Sequence, residues 1–273
     1  MALISLQNVS RFYHSAGEEV RALDGVNLEI EEGEVVMLLG PSGSGKTTLL
    51  NIISALDSPT SGDYKFGGND VPSASHSRKL LQAWKRSKEL EKMAKFRREN
   101  IGYIFQFFNL LGDLTVLENV LLSQEIHGGR NRDRALEVLE MVGLEGLENR
   151  FPSELSGGQQ QRVAIARSIA KSPRILLGDE PTGNLDSKTT EQVMRVLVDA
   201  CRKEKITAII VTHDSSLTKF ATRVIELDSG KLVSDESKAQ TILDTTLDTA
   251  KMVGGAIKNV VVNALEKSRV SEE

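Results

Sequence analysis

Short apolar runs bounded by turn residues recur along the chain and alternate with longer patterns of helical spacing. The runs that predict strands are 34–39, 101–105, 175–177, 208–211, 224–227 and 231–233. Apolar residues spaced three or four apart predict helices over 47–55, 159–170 and 188–202. Strands that alternate with helices are typical of a parallel sheet covered on both faces, so the pattern predicts an α/β fold.

A second helical pattern occupies the end of the chain. Apolar residues recur at helical spacing over about 238–267, and no proline interrupts them. We predict a C-terminal amphipathic helical tail within 236–273, although Gly254 and Gly255 weaken its middle. Its apolar stripe requires a partner surface. Three alternatives remain open: its own domain, the tail of a second copy, or a membrane interface.

Composition narrows the classes of function. The 273 residues carry a net charge of −4, which does not suggest a nucleic-acid partner. The single cysteine, Cys201, excludes an intramolecular disulfide and fits a reducing compartment. No run approaches the roughly 18 to 20 apolar residues of a membrane span, and the N-terminus lacks a signal-peptide pattern. We therefore expect a soluble chain that reaches a membrane only through a partner.

One segment reverses the acidic balance. Residues 76–99 hold nine basic and three acidic side chains, and they follow a Pro/Ser-rich stretch at 71–75. Their apolar residues predict a basic helix. Such a helix is most simply a solvated surface. The alternative is a contact with anionic lipid headgroups or with an acidic loop of a partner.

The strand at 34–39 leads into a glycine-rich turn that is typical of phosphate binding. The turn runs Gly40, Pro41, Ser42, Gly43, Ser44, Gly45, Lys46, Thr47 and Thr48, and a helical pattern follows it. Glycines let backbone amides surround phosphates at the start of a helix. We expect ATP here, with Lys46 between the β- and γ-phosphates and the Thr47 hydroxyl on Mg²⁺.

Two adjacent acids, Asp179 and Glu180, follow the apolar run 175–177. Ligands of an open α/β sheet bind at the carboxyl ends of its strands. We expect Asp179 to hold Mg²⁺ and Glu180 to polarise the attacking water. Taken alone, the pair would also suit a turn or the start of a helix.

The segment 155–162, Leu-Ser-Gly-Gly-Gln-Gln-Gln-Arg, resembles the signature motif of the ATP-binding cassette (ABC) family. Other motifs of that family follow in order over about 3–233. Gln106 resembles the Q-loop glutamine, His213 the switch histidine, Tyr13 the aromatic residue that stacks on adenine, and 184–186 the D-loop that ends in Asp186. The resemblance implies that Gln106 joins the metal site. It also implies that Ser156, Gly157, Gly158 and Gln159 close on the ATP held by a second copy.

The resemblance also implies an architecture and a role. The expected fold is a P-loop NTPase (RecA-like) core over about 1–105 and 171–235, with an antiparallel β subdomain, a helical signature subdomain over about 106–170 and a basic insertion over about 71–99. Residues 55–62, 105–111 and 181–186 resemble the lipoprotein-release and macrolide-export group. The expected protein is an ATPase subunit that forms a dimer and moves multi-spanning membrane subunits from the cytoplasmic face of a membrane. The alternatives are a soluble ABC ATPase for iron–sulfur cofactor assembly, an ABC ATPase that acts on nucleic acid or the ribosome, and a regulator of a membrane-tethered hydrolase.

Overall fold

Two β-sheets and six α-helices are present in the part of the chain that the computed structural model describes, namely residues 2–15, 18–74 and 83–237. The strands are β1 (Ala2–Ser15), β2 (Glu18–Glu31), β3 (Val35–Leu39), β4 (Ser61–Phe66), β5 (Asn69–Asp70), β6 (Ile101–Ile104), β7 (Ile175–Asp179), β8 (Thr207–Val211), β9 (Arg223–Asp228) and β10 (Lys231–Ser237). The helices are α1 (Lys46–Ile53), α2 (Ala83–Asn100), α3 (Val116–His127), α4 (Arg132–Met141), α5 (Gly157–Ile169) and α6 (Ser187–Glu204).

These elements pack as one compact unit through Glu236. The predicted C-terminal helix lies outside the described residues, apart from positions 236 and 237, which end β10. The start of the predicted basic helix, at 76–82, lies outside them as well. In the described part, no helix has the length and apolarity that a bilayer crossing requires.

The larger sheet has six strands in the order β10-β9-β3-β8-β7-β6. Neighbouring strands from β9 to β6 run parallel, as the alternation of strands and helices predicts. Strand β7 is two residues longer than its apolar run and reaches Asp179. The carboxyl ends of β3, β6, β7 and β8 therefore lie at one edge of this sheet.

The smaller sheet is antiparallel, with the order β2-β1-β4-β5. Local apolar patterning does not reveal it, whereas the family resemblance does imply an antiparallel β subdomain. Strands β1 and β2 are 14 residues each, and β2 alternates buried and exposed positions over its second half. That alternation is typical of a strand with one face on a core and one in solvent.

Two apolar cores lie on opposite faces of the parallel sheet. Along β3, Met37 packs into a core formed with helices α3 to α6, whereas Val36 and Leu38 pack into a core formed with α1 and the antiparallel sheet. Because successive side chains of a strand point to opposite faces, burial on both faces requires an uninterrupted apolar run. Cys201 of α6 belongs to the first core, and burial raises the pKa of its thiol to about 12.

The predicted basic helix is present as α2, and it ends where β6 begins. Its inner side buries Met93 and sets the Phe96 ring edge-on to Phe66 at 5.2 Å between centroids. The last turn is held from outside the helix, because Lys171 Nζ donates to the carbonyl oxygen of Arg98 at 2.9 Å. Burial lowers the pKa of Lys171 to about 8. The basic helix is thus fixed to the body of the protein through its carboxyl end.

Candidate functional site

The glycine-rich turn joins the carboxyl end of β3 to α1. Gly40, Gly43 and Gly45 have φ values of 144°, 79° and 103°, in the region that favours glycine. A Cβ atom at Gly40 would overlap the carbonyl oxygen of Leu227, and one at Gly45 would overlap that of Ala22. The turn is therefore pressed against neighbouring backbone and depends on glycine at both positions.

Lys46 closes this turn from within. Its Nζ donates to the carbonyl oxygens of Gly40 and Pro41 at 2.8 and 2.7 Å and to Ser44 Oγ at 3.3 Å, and the residue is only 8% exposed. Three hydrogen bonds use the full donor capacity of an ammonium group. The positive charge is thereby held at the centre of the turn.

The amino terminus of α1 has no side-chain cap. Its N-cap residue is Gly45, which offers no oxygen, and no acidic residue lies in the first turn. The first amides of a helix lack partners inside the helix and carry a partial positive charge. Here the charge of Lys46 adds to theirs, so the turn fits the phosphate groups of a nucleotide.

Thr47 and Asp179 meet beside this turn. Thr47 Oγ1 donates to Asp179 Oδ2 at 3.3 Å across 132 residues of sequence. Burial raises the pKa of Asp179, and the nearby Glu180 carboxylate raises it further, against the lowering effects of the Thr47 hydroxyl and Lys46. A cation at this point would relieve a carboxylate that is costly to keep charged.

The donor set at this point fits Mg²⁺ bound together with phosphates. Within the described residues, no three His, Cys, Asp or Glu side chains converge to hold a metal by themselves. Mg²⁺ is usually held by one or two protein ligands together with water and substrate phosphates. Thr47 and Asp179 supply one hydroxyl and one carboxylate, which agrees with that arrangement.

Glu180 and His213 follow β7 and β8, which are neighbours in the parallel sheet. Glu180 Oε1 lies 3.2 Å from His213 Nδ1, and the Glu180 amide donates to the carbonyl oxygen of Val211 at 3.1 Å. Glu180 has a φ of 47°, a left-handed conformation that is uncommon for glutamate. This backbone turn directs its carboxylate to the same sheet edge as His213.

Gln106 reaches the same place from β6. A Cβ atom at Gly183 would lie 3.0 Å from Gln106 Nε2 and 3.3 Å from Glu180 Oε2, so the two side chains meet over this glycine. The Asn184 side chain donates from Nδ2 to the carbonyl oxygen of Gln106 at 3.1 Å. The absence of a side chain at Gly183 therefore makes room for Gln106 beside Glu180.

A cleft of about 390 Å³ joins the glycine-rich turn to the acids after β7 and to His213, whereas Gln106 is not part of its wall. Its walls include Lys46 and Thr47 of the turn, Asp179, Glu180 and His213. The structure thus brings together residues that are 130 or more positions apart in sequence.

A third wall of this cleft was not anticipated from the sequence. It consists of Val20, Arg21 and Ala22 of β2, a strand for which the apolar pattern gives no signal before its second half. Tyr13, predicted to stack on adenine, does not line the cleft itself. It lies on β1 directly opposite Val20 and is 36% exposed, and its hydroxyl donates to Asp57 Oδ2 at 2.9 Å.

The four signature residues lie elsewhere, at the amino terminus of α5. Ser156 caps this helix through a reciprocal pair, in which its Oγ accepts from the Gln159 amide at 3.4 Å and its amide donates to Gln159 Oε1 at 2.9 Å. A Cβ atom at Gly158 would lie 2.5 Å from Thr189 Cγ2, and one at Gly157 would lie 3.3 Å from Leu185 Cδ2. None of these four residues lines the cleft of about 390 Å³ in this chain.

Asp186 caps the next helix, α6. Its carboxylate accepts from the amides of Lys188 and Thr189 at 3.1 Å each and from Thr189 Oγ1 at 2.6 Å. The Thr189 hydroxyl and these amides hold the pKa of Asp186 below its usual value. Asp186 is exposed, and it too is not part of the cleft wall.

Comparison with known proteins gives consistent results. A family model described as ABC transporter matches residues 23–183. The chain is 42% identical over 237 residues to the lipoprotein-releasing system ATP-binding protein LolD of Geobacter metallireducens, covering 86% of this chain and 99% of that protein. It is 42% identical over 245 residues to the macrolide export ATP-binding/permease protein MacB of Syntrophobacter fumaroxidans, covering 88% of this chain and 32% of that protein.

Solved structures of the ATP-binding cassette MJ0796 of Methanocaldococcus jannaschii have the same fold. A dimeric structure in a post-hydrolysis state, bound to ADP and Pi, aligns with a TM-score of 0.72 at 41% identity and covers 86% of this chain and 98% of that one. This similarity agrees with the expected architecture of P-loop core and antiparallel subdomain.

Proposed function

The chain belongs to the ABC transporter family, and from this premise we propose that two copies close on two ATP molecules and that closure moves membrane-embedded partner subunits. The chain is an ATP-binding and ATP-hydrolysing subunit of the ABC type. The observation that carries the proposal is the convergence of Lys46, Glu180, His213 and Gln106 on one edge of the parallel sheet.

Lys46 binds the β- and γ-phosphates by exchanging its hydrogen bonds to backbone carbonyl oxygens for bonds to phosphate oxygens. Its hydrogen bonds to Gly40 and Pro41 already hold the ammonium group at the centre of the turn, so a phosphate oxygen replaces carbonyl oxygens that are weaker acceptors. Thr47 and Asp179, joined by Gln106 as the family resemblance implies, would hold Mg²⁺, which would neutralise charge on the same phosphates. The turn is therefore a preformed site for the triphosphate.

Glu180 orients the water that attacks the γ-phosphorus, and ADP leaves in line with that attack. In this proposal His213 contacts the γ-phosphate, which its position 3.2 Å from Glu180 Oε1 supports. Gln106 lies on the other side of Glu180, over Gly183. In phosphoryl transfer, positioning and charge neutralisation account for most of the catalysis, so the spacing of these three side chains is what the fold contributes.

A second copy completes each site. Ser156 to Gln159 and Asp186 lie outside the cleft of their own chain, while the amino terminus of α5 is suited to an anion. MJ0796, which is 41% identical, is dimeric in its ADP- and Pi-bound structure. Because ATP contacts both copies only in the closed dimer, binding favours closure and hydrolysis removes that preference.

The segment 106–120 faces the membrane subunits in this proposal. It follows Gln106 directly and exposes apolar side chains, with Phe107 67% and Leu111 49% exposed. The chain would then lie on the cytoplasmic face of a membrane, held there by its partners. LolD and MacB are named for lipoprotein release and macrolide export, which favours a transport-type complex over iron–sulfur assembly or hydrolase control.

Glu180→Gln tests the dimer. The variant binds ATP but hydrolyses it about 100-fold or more slowly, because the water loses its acceptor. With ATP and Mg²⁺ it should sediment as a dimer, and the double variant Glu180→Gln/Lys46→Ala should remain a monomer. A monomeric Glu180→Gln protein saturated with ATP would contradict the proposal. Co-purification of a multi-spanning protein after detergent extraction tests the membrane partner.

Helix α2 supplies a contact with anionic lipid in the same assembly. Helix α2 exposes basic residues along its length while Met93 and Phe96 hold its carboxyl-terminal half on the protein. The exposed basic residues are Arg86, Lys88, Lys92, Lys95 and Arg98. Each basic residue near an anionic bilayer contributes about 1 kcal/mol, and the effect falls within a Debye length.

Substitution of Arg86, Lys88 and Lys92 by Gln should weaken binding to phosphatidylserine vesicles about 100-fold at low salt, since about 1 kcal/mol is lost per charge. The control removes three exposed charges from α6, with Arg195, Arg202 and Lys203 changed to Gln. Vesicle flotation at two salt concentrations measures both variants. Equal loss of binding in both variants would mean that only the net charge of the protein matters, which would contradict a specific role of α2.

A further inference from the structure

The side chain of Tyr13 is held by two neighbours that have no part in phosphate chemistry. The Arg11 guanidinium lies over the Tyr13 ring, with 4.3 Å from Cζ to the ring centroid. Arg11 Nε and the Tyr13 hydroxyl donate to the same oxygen, Oδ2 of Asp57, at 2.8 and 2.9 Å. The ring is therefore fixed at its tip by a hydrogen bond and covered on one face by a cation.

Asp57 is itself fixed by the helix that begins at the phosphate turn. Its amide donates to the carbonyl oxygen of Asn51 in α1 at 3.0 Å, and its Oδ1 accepts from the Ser58 amide at 2.7 Å. The chain turns between α1 and Asp57 through Ala55, which has a φ of 52°. The carboxylate is thus positioned by the carboxyl end of α1.

Strand β1 is tied to the same segment a second time. The Phe12 amide donates to Thr60 Oγ1 at 3.0 Å, and the Thr60 amide donates to the carbonyl oxygen of Ser10 at 2.8 Å. These bonds flank the Arg11–Asp57 ion pair, whose side chains are only 11% and 24% exposed. Such shielding makes the pair less subject to salt screening than an exposed one.

Asp57 remains charged at neutral pH. Burial acts to raise its pKa, but hydrogen bonds from the Ser58 amide, Tyr13 and Arg11 outweigh burial and hold the pKa below its usual value. Tyr13 pairs directly with Val20 of β2, and directly opposed residues of an antiparallel pair present their side chains on the same face. Val20 lines the phosphate cleft, so Tyr13 lies at its rim.

We infer that Arg11 and Asp57 are positioning residues for the base of the nucleotide. Together they fix the Tyr13 ring so that one face is covered by Arg11 and the opposite face is presented to adenine. Asp57 also links this ring to α1, so the ring that would stack on the base is connected through this helix to the glycine-rich turn. The inference rests on the role that the family resemblance implies for Tyr13, namely stacking on adenine, and on the proposed binding of ATP in this cleft.

The test compares ATP with tripolyphosphate, which fits the phosphate turn but has no base. Both dissociation constants are measured by calorimetry on the full chain. Tyr13→Ala should weaken ATP about 10-fold or more, since base–aromatic stacking is lost. Asp57→Ala and Arg11→Gln should weaken ATP about 3- to 10-fold, since the ring is kept but no longer held. In all three variants the tripolyphosphate constant should stay within about twofold of wild type, because its contacts are elsewhere.

A control removes a similar ion pair far from the cleft. Arg134 and Glu204 join α4 to α6, and their side chains are 17% and 15% exposed. Glu204→Ala should leave the ratio of the ATP dissociation constant to the tripolyphosphate dissociation constant at its wild-type value. If Asp57→Ala does not fold, Tyr13→Phe and Arg11→Lys take its place, since they remove the hydroxyl and the planar cation separately.

The outcomes separate the two claims. An unchanged ratio in Tyr13→Ala would overturn the adenine platform itself. A raised ratio in Tyr13→Ala with wild-type ratios in the Asp57 and Arg11 variants would overturn the positioning role alone. A parallel loss of ATP and tripolyphosphate affinity in Asp57→Ala would show that the residue only supports the fold, which also overturns the inference.

Discussion

The amino termini of α1 and α5 differ in how their first backbone amides are satisfied. In α1 the N-cap is Gly45, which gives no side-chain bond, and Lys46 fills the turn. In α5 the N-cap is Ser156, which exchanges two hydrogen bonds with Gln159. Both helices begin beside glycines, and both have the positive end of a helix dipole directed outward.

The two helices differ in which group accepts hydrogen bonds from their first backbone amides. Because α1 has no side-chain cap, its first amides are left for a ligand, so this turn is complete only with one bound. Helix α5 is satisfied by its own residues and is stable in a single chain. We expect substitutions in the α1 turn to affect nucleotide affinity first, and substitutions in the α5 turn to affect the stability of the free subunit as well.

The largest effect is expected at Lys46. Lys46→Ala should weaken ATP about 100-fold or more, since a preorganised charge on the phosphates is lost. The fold should persist, because Gly40 lines the cleft and Pro41 is exposed, so water can reach the carbonyl groups that Lys46 releases. Calorimetry gives the affinity, and Lys203→Ala on the exposed side of α6 is the control. A full ATP-induced rise of Tm in Lys46→Ala would contradict this role.

Gly158→Ala should destabilise the free subunit by about 1–2 kcal/mol, since overpacking forces neighbours to move. The new Cβ would lie 2.5 Å from Thr189 Cγ2, and Thr189 is held by its hydroxyl bond to Asp186. Thr189→Ser removes that methyl group and keeps the hydroxyl. In the Thr189→Ser background Gly158→Ala should therefore be neutral or stabilising. Urea unfolding of the four proteins measures the coupling, and additive effects would refute the steric explanation.

Ser156→Ala should cost about 1 kcal/mol of stability in the absence of nucleotide, the usual effect of removing an N-cap. Ser156→Gly should cost only a few tenths of a kcal/mol, because glycine permits the N-cap backbone. Thermal unfolding without ATP tests this order. If both variants equal wild type, the α5 turn is not stabilised by its cap and the contrast with α1 fails.

A smaller effect than that of Ser156→Ala is expected for Gln159→Ala, about 0.5 kcal/mol, since one hydrogen bond to the Ser156 amide is lost and a better helix former is gained. The same unfolding experiment applies, with Gln192→Ala on the exposed side of α6 as the control. A cost above that of Ser156→Ala would mean that Gln159 has contacts other than the cap.

Sequence patterns predicted the parallel sheet and the elements that carry the cleft. Buried strands such as β3 and β8 are uninterrupted apolar runs, and the chemistry-bearing residues follow them directly. Because parallel strands end at one edge of a sheet, Asp179, Glu180 and His213 could be expected near the turn that holds Lys46. Strand order alone brings such distant residues together.

Other features depend on long-range contacts that no local pattern contains. The antiparallel sheet brings Val20 to the cleft, and nothing in the spacing of β2 marks that approach. Asp57 looks like a turn residue in the sequence, and its link to Tyr13 exists only because β1 lies beside the end of α1. The bonds of Lys46 to its own turn likewise follow from backbone conformation rather than from residue type.

The burial of Cys201 makes the native chain almost inert toward thiol reagents. Its side chain is fully enclosed and the pKa of its thiol is raised to about 12, so little thiolate exists at neutral pH. Since this is the only cysteine of the sequence, a cysteine introduced on the surface would be the one fast-reacting position. A fluorescent maleimide could thus report closure from a chosen site without prior removal of Cys201, and slow labelling of the unaltered chain would record global opening of the core.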